Sequence, residues 1–337
     1  EISCSLVGSE MCIRDSISAA RNIKFIIMYK RIAAILVCAA SVVLFFLNPA
    51  KNIQNVSAGV LIWATSVLPA LFPFFFLSKL LIELDAFGGL STLLSKPTQK
   101  IFGAPPAASY IFLLSVVCGY PMGAKLTAEF YEKGALDKTQ CLKLATFCST
   151  GGPIFIIGTV GCVYLKSAAA GAIILVSHIL GALANGLLYR KRFVSVSECG
   201  RLISRQRNNG EILGDCMQNS IISVLSVGGF VTVFYMWTQM LLSLPPLSGA
   251  GKLVQGIAGG LLEVTAGCKI LADTGSAPLT VVLCCFLISL GGLCIFLQSS
   301  VFYRKCGVGS GKIMLFKLTQ AIFSAAFCTP LAFLFLK

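Results

Sequence analysis

Gly119-Tyr120-Pro121-Met122-Gly123 is followed further along the chain by Ser149-Thr150-Gly151-Gly152. The same pair of motifs recurs, at the same spacing, as Gly259-Gly260-Leu261-Leu262-Glu263 and Ser289-Leu290-Gly291-Gly292. Glycines and hydroxyl residues that recur inside apolar sequence predict interruptions in membrane helices. The repeat therefore predicts helix breaks that face one central site, which is typical of transport rather than of enzymatic chemistry.

The composition predicts an all-α polytopic membrane protein. Hydrophobic residues make up 56% of the 337 positions and charged residues only 12%, which is too little polar surface for a soluble chain of this length. The net charge of +14 comes from basic residues in short loops between apolar runs, so it indicates topology and not nucleic-acid binding. Most of the 15 cysteines lie in apolar stretches and His178 is the only histidine, so neither a metal site nor a cofactor is expected.

Seven apolar segments are predicted to cross the bilayer, which takes roughly 20 residues as a helix. They lie at 32–47, 56–78, 142–165, 168–189, 213–243, 278–302 and 314–336. Two shorter stretches, at 107–124 and 253–268, carry the first motif of each pair. We predict that they are re-entrant hairpins, because broken backbone at membrane depth is tolerated when protein surrounds it. Treating the hairpins as full spans is the alternative.

Basic residues predict the orientation of the chain. Those near the amino end and in the loop at 191–211 place both segments in the cytoplasm, and Lys317 is counted with the later cytoplasmic markers. The predicted organisation is a non-native or disordered leader at 1–27, a first membrane repeat at 28–190, the basic loop, and a second repeat at 212–337. Following the spans from a cytoplasmic amino end makes the two repeats antiparallel, which is an inverted-topology arrangement.

One pair of spans carries a further match between the repeats. Ser66-Val67-Leu68 corresponds to Ser223-Val224-Leu225, and prolines follow in the first copy while Gly228-Gly229 follows in the second. Proline and paired glycines both weaken helices. We therefore expect both spans to be distorted at the same depth.

The broken helices supply the predicted solute site. A helix that restarts in the membrane presents unpaired N–H groups, and the helix that ends there presents unpaired carbonyls. The alternative is that the glycines serve only close helix packing. The predicted solute-binding residues are those of the four motifs, namely Gly119, Tyr120, Pro121, Gly123, Ser149, Thr150, Gly151, Gly152, Gly259, Gly260, Glu263, Ser289, Gly291 and Gly292.

Four polar residues are candidates for an ion or proton relay. Glu263 is a carboxylate in apolar sequence, where it either binds a cation, proton or hydroxyl or pairs with Lys269 or Lys125. His178 lies in mid-span, and interhelical hydrogen bonding is the commoner use of such a residue. Lys125 has Glu129, Glu132 and Lys133 at helical spacing, which favours a solvated face. Asn219 belongs to a polar stripe that opens the span after the basic loop.

The residues at 118–126, at 129–134 and at 151–158 carry a family resemblance. They read CGYPMGAKL, EFYEKG and GGPIFIIG. With the Gly-Leu-Leu-Glu stretch of the second half, they resemble the YlbJ-type sporulation integral membrane proteins, which fall within the nucleoside-recognition or Gate domain family. The resemblance implies a multi-pass protein of spore-forming bacteria with the core of concentrative nucleoside carriers. It implies no particular nucleoside contact.

The expected function is that of a secondary carrier or permeation pathway. The expected solute is small and polar or ionic, with nucleosides, dipicolinate and ions as examples, and the expected surroundings are the lipid bilayer of the cell membrane. No soluble stretch is long enough for a nucleotide-hydrolysing domain and no catalytic set is present, so the chain is predicted not to be an enzyme. The alternative is a scaffold for spore cortex or coat formation that transports nothing. The sequence leaves a coupling ion and a homo-oligomer open.

Overall fold

The computed structural model describes residues 28–29, 31–84, 96, 98–193, 209–275 and 277–336. The described residues are mainly helical and contain no strand, which confirms the all-α fold class. The leader at 1–27 and most of the basic loop lie outside them. The α-helices of eight or more residues are α1 (Arg31–Leu47), α2 (Pro49–Ile62), α3 (Leu68–Glu83), α4 (Ala107–Cys118), α5 (Met122–Glu132), α6 (Lys138–Ala145), α7 (Ala168–Leu188), α8 (Asn209–Leu242), α9 (Lys252–Leu262), α10 (Val264–Ala272), α11 (Pro278–Leu290), α12 (Gly292–Lys305) and α13 (Ser310–Phe335).

The chain divides into two compact units between Ile53 and Gln54. In the first unit, Asn52 closes the end of α1 by donating to Leu44 O at 3.0 Å and to Phe45 O at 3.2 Å. The boundary falls within α2, and the second unit holds helices α3 to α13 and every candidate site residue. The predicted division into repeats at 28–190 and 212–337, and their opposed orientation, stay predictions.

Four helical stretches are long and apolar enough to cross a bilayer, so the chain is a multi-pass membrane protein. They are Ala168–Leu188, Gly210–Leu242, Pro278–Lys305 and Ser310–Phe335, and they confirm four of the predicted spans. Arg31–Leu47 and Pro49–Val67 are a bent pair that adds a fifth if it is counted as one span. The predicted segment at 142–165 is interrupted at the predicted break. The α-helix ends at Ala145, and a π-helical segment, Ile154–Tyr164, follows after irregular backbone.

The expected distortion of two spans occurs in only one of them. A π-helical turn, Trp63–Val67, lies between α2 and α3, directly before the proline pair at 69 and 73. In contrast, α8 continues through Gly228 and Gly229 without a break. Gly228 has a packing role, because a Cβ there would lie 2.5 Å from the Trp63 ring. The Trp63 indole also donates to Val224 O at 3.1 Å, which fixes α8 against the π-helical turn.

Both predicted hairpins are helix–break–helix units. Helix α9 has 11 residues and α10 has 9, so at 1.5 Å per residue neither arm can cross a hydrocarbon core of about 30 Å. The arms fold back closely, because a side chain on Gly267 in α10 would overlap the backbone of Gly260 in α9. Helices α4 and α5 form the corresponding hairpin in the first half, with 12 and 11 residues.

Candidate functional site

Two helix breaks of the first half touch each other through glycines. The backbone between α4 and α5 turns at Gly119, whose φ of +81° favours glycine. A Cβ on Gly119 would lie 2.6 Å from Gly152 N, and a side chain on Gly123 would overlap Cys148 O. The motif at 119–123 therefore packs directly on the motif at 149–152, which leaves no room for a side chain between them.

The unwound backbone from Thr146 to Gly152 is held by side chains of helices α4 and α7. Asn185 of α7 donates to Thr146 O. Ser115 of α4 donates to Cys148 O at 3.2 Å and accepts from Thr150 N at 3.1 Å, and its hydroxyl lies 2.9 Å from Thr150 Oγ1. Because buried backbone groups need partners, these bonds fix the shape of the break.

In the second half, the hairpin breaks at Glu263 and not at the paired glycines. Gly259 and Gly260 lie inside α9, so the prediction that they interrupt the helix is wrong. They serve packing, since a Cβ on Gly260 would overlap the Leu287 side chain. Glu263 has extended backbone and caps α10, with its carboxylate accepting from Thr265 N at 3.0 Å and from Ala266 N at 2.7 Å. A carboxylate at a helix N-terminus is stabilised by the partial positive charge there.

The second break of this half lies at Gly291 and Gly292, as predicted. Both residues have positive φ, +84° and +59°, between α11 and α12. A Cβ on Gly292 would lie 2.7 Å from Gly260 O and 3.3 Å from Leu262 O. The two breaks of the second half are therefore in backbone contact, like those of the first half.

His178 joins the two halves. Gly151 N donates to His178 Nε2 at 2.8 Å, and His178 Nδ1 lies 2.7 Å from Ser289 Oγ. Because Nε2 accepts from a backbone N–H, the proton of the neutral ring lies on Nδ1 and is donated to Ser289. His178 is completely buried, so it makes the interhelical hydrogen bonds that the sequence favoured. Tyr120 adds a second link by donating to Ile288 O at 3.2 Å.

Lys317 is a site residue that the sequence does not identify. The prediction that it marks a cytoplasmic loop is wrong, because Lys317 is only 2% exposed within α13. Its ammonium donates to Ser149 O at 3.0 Å and to Tyr120 Oη at 2.9 Å. The available signal was its position inside the apolar run that follows Ile313, where an ionisable residue is functional by default.

A cavity of about 90 Å³ lies where these breaks meet. Its polar lining comes from the Glu263 carboxylate, Tyr120, Thr265, Ser66 and Gln298, and the remainder is largely apolar. Of the predicted solute-binding residues, Gly119, Tyr120, Gly151, Gly152 and Glu263 line it. The other predicted solute-binding residues do not line this cavity.

Two of the relay candidates have surroundings that differ from the prediction. Lys125 is 7% exposed, so the solvated-face interpretation is wrong for it. It lines a second cavity of about 30 Å³, where its ammonium donates to Ser223 Oγ at 2.8 Å. Asn219 is exposed on α8, donates to Asp215 O of its own helix at 2.7 Å, and does not line the cavity.

Among the described residues Glu263 forms no ion pair, so its predicted pairing with Lys269 or Lys125 is wrong.

The chain is similar in sequence to a known sporulation membrane protein. No protein-family model and no solved structure matches it, so membership of the Gate domain family stays a prediction. The sequence is 27% identical to "Sporulation integral membrane protein YlbJ" of Bacillus subtilis (strain 168), over 83% of this chain and 77% of that protein. This similarity confirms the predicted resemblance to the YlbJ-type sporulation integral membrane proteins.

Proposed function

We propose that this chain is a secondary carrier or permeation pathway for a small polar or ionic solute, with its site in the cavity between the four helix breaks. The observation that carries the proposal is the position of Glu263. Glu263 is buried, and it lines a cavity at the point where the hairpin breaks between α9 and α10. Ionisable groups in such places mark solute or ion pathways in membrane proteins.

The size and lining of the cavity favour a small solute. About 90 Å³ accommodates several water molecules or a solute of a few heavy atoms, and a typical pocket for a drug-sized ligand has about 300–1,000 Å³. A nucleoside therefore enters only if the two halves move apart. Because the cavity wall is mainly apolar and Glu263 is its one carboxylate among the lining residues, we expect Glu263 to select a cationic or hydrogen-bonding solute.

The contacts suggest how the halves move. Within each half, the breaks touch through backbone at Gly119 and Gly152 and again at Gly260 and Gly292. Side-chain hydrogen bonds of His178 join the two halves, and the halves are also in close backbone contact at Gly181 and Ser324. Rocking of one half against the other would exchange the His178 bonds and keep the contacts between the breaks of each half intact.

The similarity to YlbJ supports a biological setting for the proposal. That protein is named for sporulation and for its place in the membrane. We infer that this chain acts in a membrane of the spore-forming cell, and that solute movement across that membrane is its contribution to sporulation.

Glu263→Gln should abolish most of the transport while the protein still folds. The amide is nearly isosteric, and its oxygen continues to accept one of the two backbone N–H groups of α10. Since hydrogen bonds to charged groups contribute about 1.5–3 kcal/mol, we expect flux to fall at least about tenfold. The measurement is uptake into proteoliposomes, screened over nucleosides, amino acids, dipicolinate and divalent metal ions.

Glu132→Gln is the matched control, because Glu132 is half-exposed and its ion-pair partner among the described residues is the surface residue Lys305. It should transport like the wild type. A complementation assay in the spore-forming host separates the scaffold alternative from the carrier. If correctly inserted Glu263→Gln, Gly151→Val and Gly291→Val all restore sporulation to a deletion strain, the protein is a scaffold and the proposal is wrong.

A further inference from the structure

The ammonium of Lys317 lies among oxygen atoms from three segments of the chain. Ser149 O accepts at 3.0 Å and Tyr120 Oη at 2.9 Å, and Gln320 Oε1 lies at 3.5 Å. The ammonium also lies 4.3 Å from the centre of the Tyr120 ring, within cation–π distance. These oxygens are all neutral, and carbonyls of unwound backbone coordinate Na⁺ at broken membrane helices in transporters.

The hydrogen-bond directions fit a protonated amine. Tyr120 donates its own proton to Ile288 O, so its oxygen is free to accept from Lys317. The ammonium thus has three oxygen acceptors for its three donors, and a neutral amine would leave one of them without a proton. No carboxylate forms an ion pair with Lys317 among the described residues. The positive charge is therefore stabilised by neutral oxygens and by the ring alone.

We propose that Lys317 is a tethered substitute for a bound monovalent cation. Its ammonium occupies an oxygen-lined site beside the Ser149 break and, through Tyr120, holds that break to Ile288 of the second half. A soluble Na⁺ or K⁺ has no place there while Lys317 is present. It follows that the folded state does not require Na⁺ or K⁺ at this site, a statement about Lys317 that stands apart from the proposed function.

Chemical rescue tests the site without using transport. Lys317→Ala removes the side chain beyond Cβ, and n-propylammonium carries the atoms that are lost. We expect the purified variant to melt below the wild type, and n-propylammonium to raise its melting temperature by roughly 2–4 °C over choline at equal ionic strength. Neutral n-propanol should not produce this increase, because it lacks the charge that the oxygens bind. The measurement is tryptophan fluorescence on heating.

Lys125→Ala is the matched control, because the Lys125 ammonium is also buried but donates to the single hydroxyl of Ser223. Equal rescue of both variants, or equal rescue by n-propanol, would overturn the proposal, as would a folded Lys317→Ala variant that n-propylammonium leaves unchanged. If Lys317→Ala does not insert into the membrane, the melting temperature of the wild-type protein in different salts tests the proposal instead. Stabilisation by Na⁺ or K⁺ over choline contradicts a tethered cation, and identical melting in all three salts supports it.

Discussion

Gly123→Ala should prevent this protein from folding correctly in the membrane. A methyl group at that position would overlap Cys148 O and would lie 2.8 Å from both Cys148 C and Ser115 Oγ. Backbone atoms cannot turn away as a flexible side chain can, so helix α5 must move off the break at 146–152. We expect a loss of more than about 3 kcal/mol, at the upper end of the cost of overpacking. The yield of monodisperse protein in detergent and its melting temperature measure the effect.

Gly158→Ala is the control for this variant. Gly158 lies in the neighbouring π-helical segment, and a Cβ there would meet nothing within 4 Å. Alanine is also the better helix former, so the control should melt within a few degrees of the wild type. A Gly123→Ala protein that is obtained in normal yield and melts like this control would show that the two breaks are not in fixed contact.

The glycine motifs are better predictors of close backbone contacts than of helix ends. Gly119, Gly151 and Gly291 lie at breaks as expected. Gly260 belongs to the same sequence repeat, but it lies inside α9 and gives α10 room to approach. A glycine in apolar sequence permits both a turn and a close contact. Whether a glycine forms a turn or a close contact depends on which helix packs against it, and the spacing of the motifs does not reveal that helix.

The cap at Glu263 had a local signal that the repeat obscured. A carboxylate followed directly by Val264-Thr265-Ala266 can accept from the first N–H groups of a new helix. Alignment of the two motifs instead placed the break four residues earlier, because it matched glycine to glycine. The position of Lys317 could not be derived in this way. Its partners Ser149 and Tyr120 are remote in sequence, and the basic residues just before it favoured a loop.

His178 was identified from sequence as a buried polar residue, but its partners were not. The structure shows that it connects a backbone N–H of the first half with a hydroxyl of the second. The neutral imidazole serves both partners because its acceptor nitrogen faces Gly151 N and its donor nitrogen faces Ser289. The two hydrogen bonds can be tested separately. The side-chain amide of glutamine can replace the Nε2 contact, and that of asparagine can replace the Nδ1 contact.

His178→Phe should destabilise the protein and sharply reduce transport. Phenylalanine fills a similar volume, but it leaves Gly151 N–H buried without an acceptor, which costs about 1–3 kcal/mol. The link to Ser289 is lost as well. We expect the melting temperature to fall by several degrees and flux in proteoliposomes to fall at least about tenfold, because the first break is no longer positioned against the second.

A double-mutant cycle with Ser289→Ala distinguishes this bridge from a general packing effect. If His178 acts by joining the halves, the two substitutions remove the same interaction and their effects on stability are not additive, with a coupling of about 0.5–3 kcal/mol. His178→Gln should recover part of the stability by supplying an acceptor to Gly151 N. Additive effects, together with a glutamine variant no better than phenylalanine, would mean that His178 only fills space. The two halves would then be held by their other contacts, among which Tyr120 and Lys317 are the ones that reach the cavity and the break at Ser149.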